Sequence, residues 1–225
     1  MRKRGELLAM ALRRKKAAMS AKRRGSMHPL LALPELAKQR GLIGAADLDE
    51  LGIWRGYLHE FARRGLLARV AWGLYALPGR EPSRIAIASK SVEGGVLCLI
   101  SALYLQGLIP KEPDAVWLAI GPKARRPSVS LPVRFVRFSG AALTGGIETV
   151  VGADGVAVRT YSVDKTIADC FKFRNKIGAA VAVGALERAL QQKRCDVKRL
   201  KHFALVCRVA RVLEPYLLAF KAFSQ

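Results

Sequence analysis

Acidic and lysine side chains that could support metal-dependent chemistry lie in the second half of the chain. Glu148, Asp154, Asp164 and Lys165 come nearest to a restriction-type nuclease centre. Such a centre needs clustered carboxylates and a lysine, because together they hold a metal ion and activate its bound water. Asp164 and Lys165 are adjacent at the start of a predicted helix, and adjacent helical residues point about 100° apart. We therefore expect no catalysis and interpret Lys165 and Asp169 as an i,i+4 pair on a helix surface.

Histidine and cysteine side chains show no pattern of a metal site or a catalytic nucleophile. The sequence contains three histidines and four cysteines, without a CxxC motif and without paired histidines. We expect no metal ion, no cofactor and no disulfide framework. Each cysteine is interpreted as a small core residue in a reducing compartment.

The 225-residue chain is strongly basic, with 39 Lys+Arg, 17 Asp+Glu and a formal net charge of +22. An excess this large favours a polyanionic partner, either nucleic acid or an anionic membrane surface. The apolar runs fall short of the about 18 residues that a transmembrane helix needs. The apolar stretch at 7–12 is also too short for a secretion signal, so we expect a cytoplasmic protein without a membrane span.

Much of the positive charge lies at the N-terminus. The first 24 residues hold ten Lys/Arg and a single acid, Glu6. Like charges at this density repel one another, so residues 1–27 are predicted to form a disordered basic tail. Such a tail is suited to tracking phosphates. The alternative is a start codon assigned too early, since Met10, Met19 and Met27 offer later starts.

The elements that position a second kind of chemistry, the reading of nucleic acid, are predicted in residues 28–79. Apolar residues recur at helical spacing in three short segments, each closed by a glycine, at about 30–40, 45–51 and 53–64. Two short strands around a Trp-Gly turn follow at 66–77. Three short helices and a strand pair in this order predict a helix–turn–helix with a wing.

The polar outer face of the third helix carries the side chains that could read DNA. A helix fits the major groove, where Arg donates two hydrogen bonds to guanine O6 and N7. Arg55 and Gly56 lie at the N-terminal end, where helices usually meet base edges, and a glycine permits close approach. We expect the groove to be faced by Arg55, Gly56, His59 and Arg63, and the DNA backbone to be met by Arg64, Arg69 and the wing around Trp72.

A winged helix can also serve as a protein-interaction module. Residues 29–78 hold six basic and five acidic side chains, a net charge of only +1. Glu60, on the outer face, would be repelled by phosphate, and we expect it to orient an arginine or to face water. Protein binding by this domain therefore stays open as an alternative.

Residues 80–225 are predicted to form a second domain. Strands are predicted at 115–120, 133–138 and 156–161, with helices at 81–90 and 96–106 before them and further helices from 163 to the end. The fold class predicted for the whole chain is α+β, an N-terminal winged helix–turn–helix followed by a mixed α/β domain with a small sheet. Basic side chains of this domain either add nucleic-acid contacts or form a solvated surface; the candidates are Lys123, Arg125, Arg126, Lys198, Arg199 and Lys201.

Several short motifs follow one another along the chain in a characteristic order. In the first domain they are Gly41-Leu42-Ile43, Ala46-Asp47-Leu48, Gly52-Ile53, Tyr57-Leu58, Arg64-Gly65, Arg69-Val70 and Gly73-Leu74-Tyr75-Ala76-Leu77-Pro78. In the second they are residues 98–103 with 107–108, residues 161–170 and residues 173–178. Together they resemble the AbiEi-family antitoxins of type IV toxin–antitoxin systems, over about residues 29–220. The chain departs from that pattern at Trp72, where family wings often carry Arg.

The resemblance implies a two-part, non-enzymatic protein. The winged helix would bind double-stranded operator DNA upstream of its own operon and repress transcription. The C-terminal domain would counteract a nucleotidyltransferase-like toxin, without forming a stable complex with it. The alternative is an interaction protein, in which the winged helix is only a scaffold and the basic C-terminal domain binds the toxin or its RNA substrate directly.

Overall fold

A computed structural model describes residues 29–223 and divides them into two compact units, the first ending at Glu81 and the second beginning at Pro82. This division lies two residues beyond the boundary expected from the sequence. The basic tail predicted at 1–27 lies outside the described residues. No helix within 29–223 is both long and apolar enough to cross a membrane.

The first unit contains three helices and three short strands in its described part. In chain order these are α1 (Pro29–Arg40), β1 (Ile43–Gly44), α2 (Ala45–Glu50), α3 (Gly56–Arg63), β2 (Ala68–Ala71) and β3 (Leu74–Ala76). The strands form one antiparallel sheet in the order β1-β3-β2. The predicted helix–turn–helix with a wing is confirmed. Strand β1 was not predicted, because two residues are too few to show an alternating pattern.

The helices of the first unit are held together by one apolar core. Leu33, Leu48, Leu58 and Phe61 are buried in it, together with Ile53 from the turn before α3. The spacing of Leu58 and Phe61 places both on one side of α3, so its polar side chains are left on the other. The core therefore fixes which face of α3 is presented outward.

A buried carboxylate ties α1 to the start of α2. Asp47 Oδ2 accepts a hydrogen bond of 2.8 Å from the backbone N–H of Gly44, and its Oδ1 lies 2.5 Å from Nη1 of Arg40. Arg40 also donates through Nη2 to Glu50, at 2.7 Å. These contacts raise the pKa of Arg40 above its ordinary value. They hold the first two helices in the arrangement that carries α3.

The second unit is built on a larger, mixed sheet. Its strands are β4 (Val96–Leu97), β5 (Val116–Ile120), β6 (Val133–Arg137), β7 (Ile147–Val151) and β8 (Ala157–Tyr161). Their order in the described part of the chain is β6-β5-β4-β8-β7, with β5/β6 and β4/β8 parallel and the other neighbours antiparallel. Its helices are α4 (Arg84–Ser91), α5 (Leu99–Leu105), α6 (Ala141–Thr144), α7 (Val163–Lys172), α8 (Arg174–Ile177), α9 (Ala179–Gln191), α10 (Val197–Val206) and α11 (Ala210–Phe223). The α+β class is confirmed.

Two details of the predicted second domain are wrong. The helix expected at 96–106 begins only at Leu99, because residues 96–97 form the central strand of the sheet. Leu99 itself has a φ of 50°, which breaks any helix running through it. The second error is the size of the sheet, because β4 and the edge strand β7 were both missed.

Helix α7 forms the centre of the second unit, and its charged pair is buried. Lys165 Nζ lies 2.5 Å from Asp169 Oδ2, and the two side chains are 0% and 1% exposed. The ammonium also lies 4.3 Å from the ring centroid of Tyr161 and 4.9 Å from that of Phe138. The interpretation of this pair as a surface feature is therefore wrong. Packing of α5, α9 and α10 around α7 encloses it.

Two basic residues just beyond helix ends adopt a backbone conformation that favours glycine. Lys193 after α9 and Arg208 after α10 have φ values of 55° and 59°. We expect Lys193→Gly and Arg208→Gly each to raise the free energy of unfolding by about 0.5–1 kcal/mol, because glycine has no Cβ to clash there. Lys201→Gly inside α10 is the control, expected to lower it by about 1 kcal/mol. Urea unfolding measures the stability of all three variants. Lower stability of both Lys193→Gly and Arg208→Gly would contradict the prediction.

The four cysteines are predicted to be unreactive in the folded protein. Burial raises the pKa of Cys195 and Cys207 to about 12 and that of Cys98 and Cys170 well above its ordinary value. At about pH 8 a thiol with such a pKa has about a thousandfold less thiolate than free cysteine. We expect slow modification by a disulfide reagent in the native state and four rapid equivalents in denaturant, with the half-buried Cys195 reacting first. Rapid labelling of native Cys207 would contradict this.

Candidate nucleic-acid interface

Arg55 stands at the start of α3 and is held by a carboxylate from α2. Its Nε donates to Asp49 Oδ1 at 2.8 Å, and its Nη2 donates to Asp49 Oδ2. The Arg55 side chain is 65% exposed and that of Asp49 is 46% exposed. The hydrogen bonds to Arg55 lower the pKa of Asp49, and those to Asp49 raise the pKa of Arg55. The arginine predicted to read a base is thus exposed, but Asp49 holds its guanidinium in place.

A single carboxylate holds the other two arginines of α3. Glu60 accepts from Nη2 of Arg63 at 2.6 Å and from Nε of Arg64 at 2.7 Å. The hydrogen bond from Arg64 is the main cause of the lowered pKa of Glu60. Of the two roles expected for Glu60, the structure therefore shows the orientation of arginines. His59, between these residues and Arg55, is exposed.

An aromatic ring covers the side of Gly56 on which a side chain would lie. The sequence predicted that this glycine allows close approach to DNA, and the structure gives it a different role. A Cβ placed on Gly56 would lie 2.3 Å from the Cη2 atom of Trp54. The indole of Trp54 is 69% exposed and meets Tyr57 edge-on, with the centroids 5.7 Å apart. The glycine makes room for Trp54. Sequence reasoning missed Trp54 because it precedes the helix and lies outside its apolar stripe.

The wing brings two predicted contact residues together. Strands β2 and β3 are joined by Trp72 and Gly73, with Ala71 paired to Leu74. Gly73 has a φ of 71°, a conformation that this tight turn requires and that glycine adopts readily. The guanidinium of Arg69 lies 4.9 Å from the ring centroid of Trp72, which is 87% exposed. Arg69 and Trp72 therefore form one cationic and aromatic tip.

The basic loop of the second unit is exposed and anchored at its base. Lys123, Arg125 and Arg126 all lie on the surface between β5 and β6. Arg137 from β6 fastens the start of this loop, because its Nη1 donates to the carbonyls of residues 121, 122 and 124. The loop thus presents its three cations from a fixed origin.

Helix α10 carries the remaining basic candidates, and one of them is paired with carboxylates. Lys198 and Lys201 are exposed. Arg199 lies 3.2 Å from Asp164 through Nε and 3.5 Å from Glu148 through Nη2. Arg199 is 53% exposed and joins α10 to α7 and β7, so its charge is shared with two carboxylates of the second unit.

The carboxylates considered for a nuclease centre are bound to groups of the protein itself. Asp154 accepts from the backbone N–H groups of Ser83, at 2.8 Å, and Val156, at 3.0 Å. Asp164 accepts from the backbone N–H of Asp196 at 2.8 Å and shares Arg199 with Glu148. No group of three or more metal-ligating side chains occurs among the residues that the structure describes.

A helix–turn–helix with an exposed arginine-bearing third helix and a two-stranded wing defines the first unit as a winged-helix module. Its sequence also matches a known family: residues 32–78 fit the model described as transcriptional regulator, AbiEi antitoxin. The resemblance to AbiEi antitoxins is thereby confirmed for this segment. Over residues 79–220 the resemblance stays a prediction. No curated protein matches the chain.

Proposed function

We propose that the chain is a DNA-binding antitoxin that represses transcription of its own type IV toxin–antitoxin operon. The observation that carries this proposal is the match of residues 32–78 to AbiEi antitoxin regulators. Regulators of this architecture bind DNA through the third helix of the winged-helix domain, which enters the major groove.

The candidate side chains of the first unit have distinct roles in the proposed complex with DNA. Arg55 and His59 meet base edges in the groove, because Arg55 directly precedes α3 and His59 lies in its N-terminal half. Arg63 and Arg64, held by Glu60, approach phosphates on the flanks of the groove. The tip formed by Arg69 and Trp72 lies against the DNA backbone beside the groove. Trp54 joins the interface, because its exposed indole borders the start of α3.

The second unit has the task of counteracting the toxin. The motifs at 161–178 support this assignment through their resemblance to the family, which implies a nucleotidyltransferase-like toxin and no stable complex with it. The exposed cations Lys123, Arg125, Arg126, Lys198 and Lys201 add to the attraction for nucleic acid. We propose that the protein acts in the cytoplasm, where its operator lies.

The proposal is tested by binding of the full-length protein to the DNA upstream of its own gene. A gel-shift titration against a scrambled duplex of equal length, repeated across a salt series, separates specific from electrostatic binding. We expect a clear preference for the upstream DNA that persists as salt rises. Equal binding to both duplexes that vanishes with salt would overturn the proposal, because only the net charge would then be recognised.

A second candidate function is direct binding of the toxin or its RNA substrate by the second unit. The observation in its favour is the exposed basic loop at 123–126, together with the lysines of α10. Under this function a variant that has lost operator binding still neutralises the toxin through physical contact. Co-purification of the toxin with the full chain, at moderate salt, would favour this second candidate.

A further inference from the structure

The contact between Asp49 and Arg55 uses one particular edge of the guanidinium group. A guanidinium carries five N–H donors, one on Nε and two on each terminal nitrogen. Asp49 takes the Nε donor and one donor of Nη2. Three donors remain, both on Nη1 and one on Nη2. One donor of each terminal nitrogen points along the outer edge, and this pair has the spacing that matches O6 and N7 of guanine.

We propose that Asp49 is the specificity-determining positioning residue of this protein: it holds Arg55 so that the outer edge of the guanidinium reads a guanine. The inference rests on the proposed function. A long arginine side chain has many rotamers, and a bidentate partner selects one before DNA arrives. The Asp49 carboxylate also offsets the charge of Arg55, which lowers its attraction to phosphates that carry no sequence information.

The location of Asp49 supports this role. Asp49 belongs to α2 and Arg55 directly precedes α3, so their contact spans the turn of the helix–turn–helix. Both side chains are about half exposed or more, and ion pairs at such surfaces contribute little to stability. The pair is therefore explained poorly by the fold and well by the orientation of Arg55.

Glu35 provides a matched comparison within the same unit. It is an exposed carboxylate on α1 and accepts a hydrogen bond of 2.9 Å from Nε2 of Gln39. Glu60 does not serve for this comparison, because it holds Arg63 and Arg64 of the candidate interface. Removal of the Glu35 charge changes the net charge of the unit as much as removal of the Asp49 charge, and it leaves Arg55 held.

The test compares Asp49→Asn and Asp49→Ala with Glu35→Gln in the full-length chain. Asparagine keeps the shape of Asp49, but it offers one acceptor and sets an N–H against the arginine. For both Asp49 variants we expect the ratio of upstream to scrambled affinity to fall about tenfold. Their affinity for scrambled DNA is expected to rise, with a log–log salt dependence steeper by about 0.9, because the released Arg55 reaches a phosphate. Glu35→Gln is expected to leave the ratio unchanged.

The outcomes separate the inference from the function on which it rests. An unchanged ratio in Asp49→Asn, with wild-type protein still preferring the upstream DNA, overturns the role of Asp49 and leaves the repressor function standing. A wild-type protein without preference overturns both. Equal losses of affinity on both duplexes, accompanied by a lower melting temperature, would mean that Asp49 is structural, and this also overturns the inference.

Discussion

Replacing Lys165 by Met is expected to lower the free energy of unfolding by about 3–5 kcal/mol. The substitution leaves the carboxylate of Asp169 buried without its cation, and Cys207 Sγ, at 3.2 Å from Oδ1, is a weak donor that cannot replace it. It also removes the contacts of the ammonium with the rings of Tyr161 and Phe138. Burial already raises the pKa of Asp169, so part of the cost appears as uptake of a proton. Urea unfolding followed by circular dichroism measures the loss.

Two further variants make this prediction specific to the buried pair. Lys172→Met, at the exposed end of the same helix, is expected to change stability by less than about 0.5 kcal/mol. The double variant Lys165→Met/Asp169→Leu is expected to recover most of the loss, because apolar side chains of similar volume can replace a buried ion pair. A loss below about 1 kcal/mol in Lys165→Met would contradict the structural picture of α7.

The second large effect is expected from the double variant Arg55→Ala/Arg63→Ala. Affinity for the upstream DNA is expected to fall by about 100-fold, because one base contact and one phosphate contact are lost together. The fold is expected to be unaffected, since both side chains are exposed and paired only at the surface. Gel-shift titration gives the affinity, and transcription from the operon's own promoter gives the consequence for repression.

The control for this pair is Lys38→Ala on α1. Lys38 is an exposed cation of the same unit but lies outside α3. Its removal is expected to weaken binding to upstream and scrambled DNA equally and by much less. Retention of full operator affinity in the double variant would show that α3 is not the reading helix. Toxin neutralisation measured in the same cells then distinguishes DNA binding from direct action of the second unit.

The first unit was largely predictable because its signals are local. Each helix has its own apolar spacing and ends at a glycine, and Gly52 and Gly65 do adopt the positive φ values that such ends use, 66° and 73°. The wing was visible as two apolar runs around Trp72 and Gly73. The motif resemblance then added the family, and residues 32–78 match it.

The remainder was not predictable because it depends on partners that are distant in sequence. Strand β4 has two residues and exists only because β5 and β8 flank it. Lys165 and Asp169 have the spacing of a surface pair, and they are buried only because other elements of the second unit pack around α7. The pairing of Arg199 with Asp164 and Glu148 likewise joins residues 35 and 51 positions apart. Helical or alternating periodicity carries no information on such contacts.

The distribution of tryptophan makes the protein its own spectroscopic reporter. Trp54 and Trp72 of the first unit are 69% and 87% exposed, whereas Trp117 of the second unit is 7% exposed. Iodide is therefore expected to quench the emission of the first two indoles and to spare the third. A duplex seated on α3 and the wing protects the quenchable fraction, so occupancy can be followed without a label. In the absence of DNA, the emission that iodide does not quench comes from Trp117, and it reports the integrity of the second unit alone.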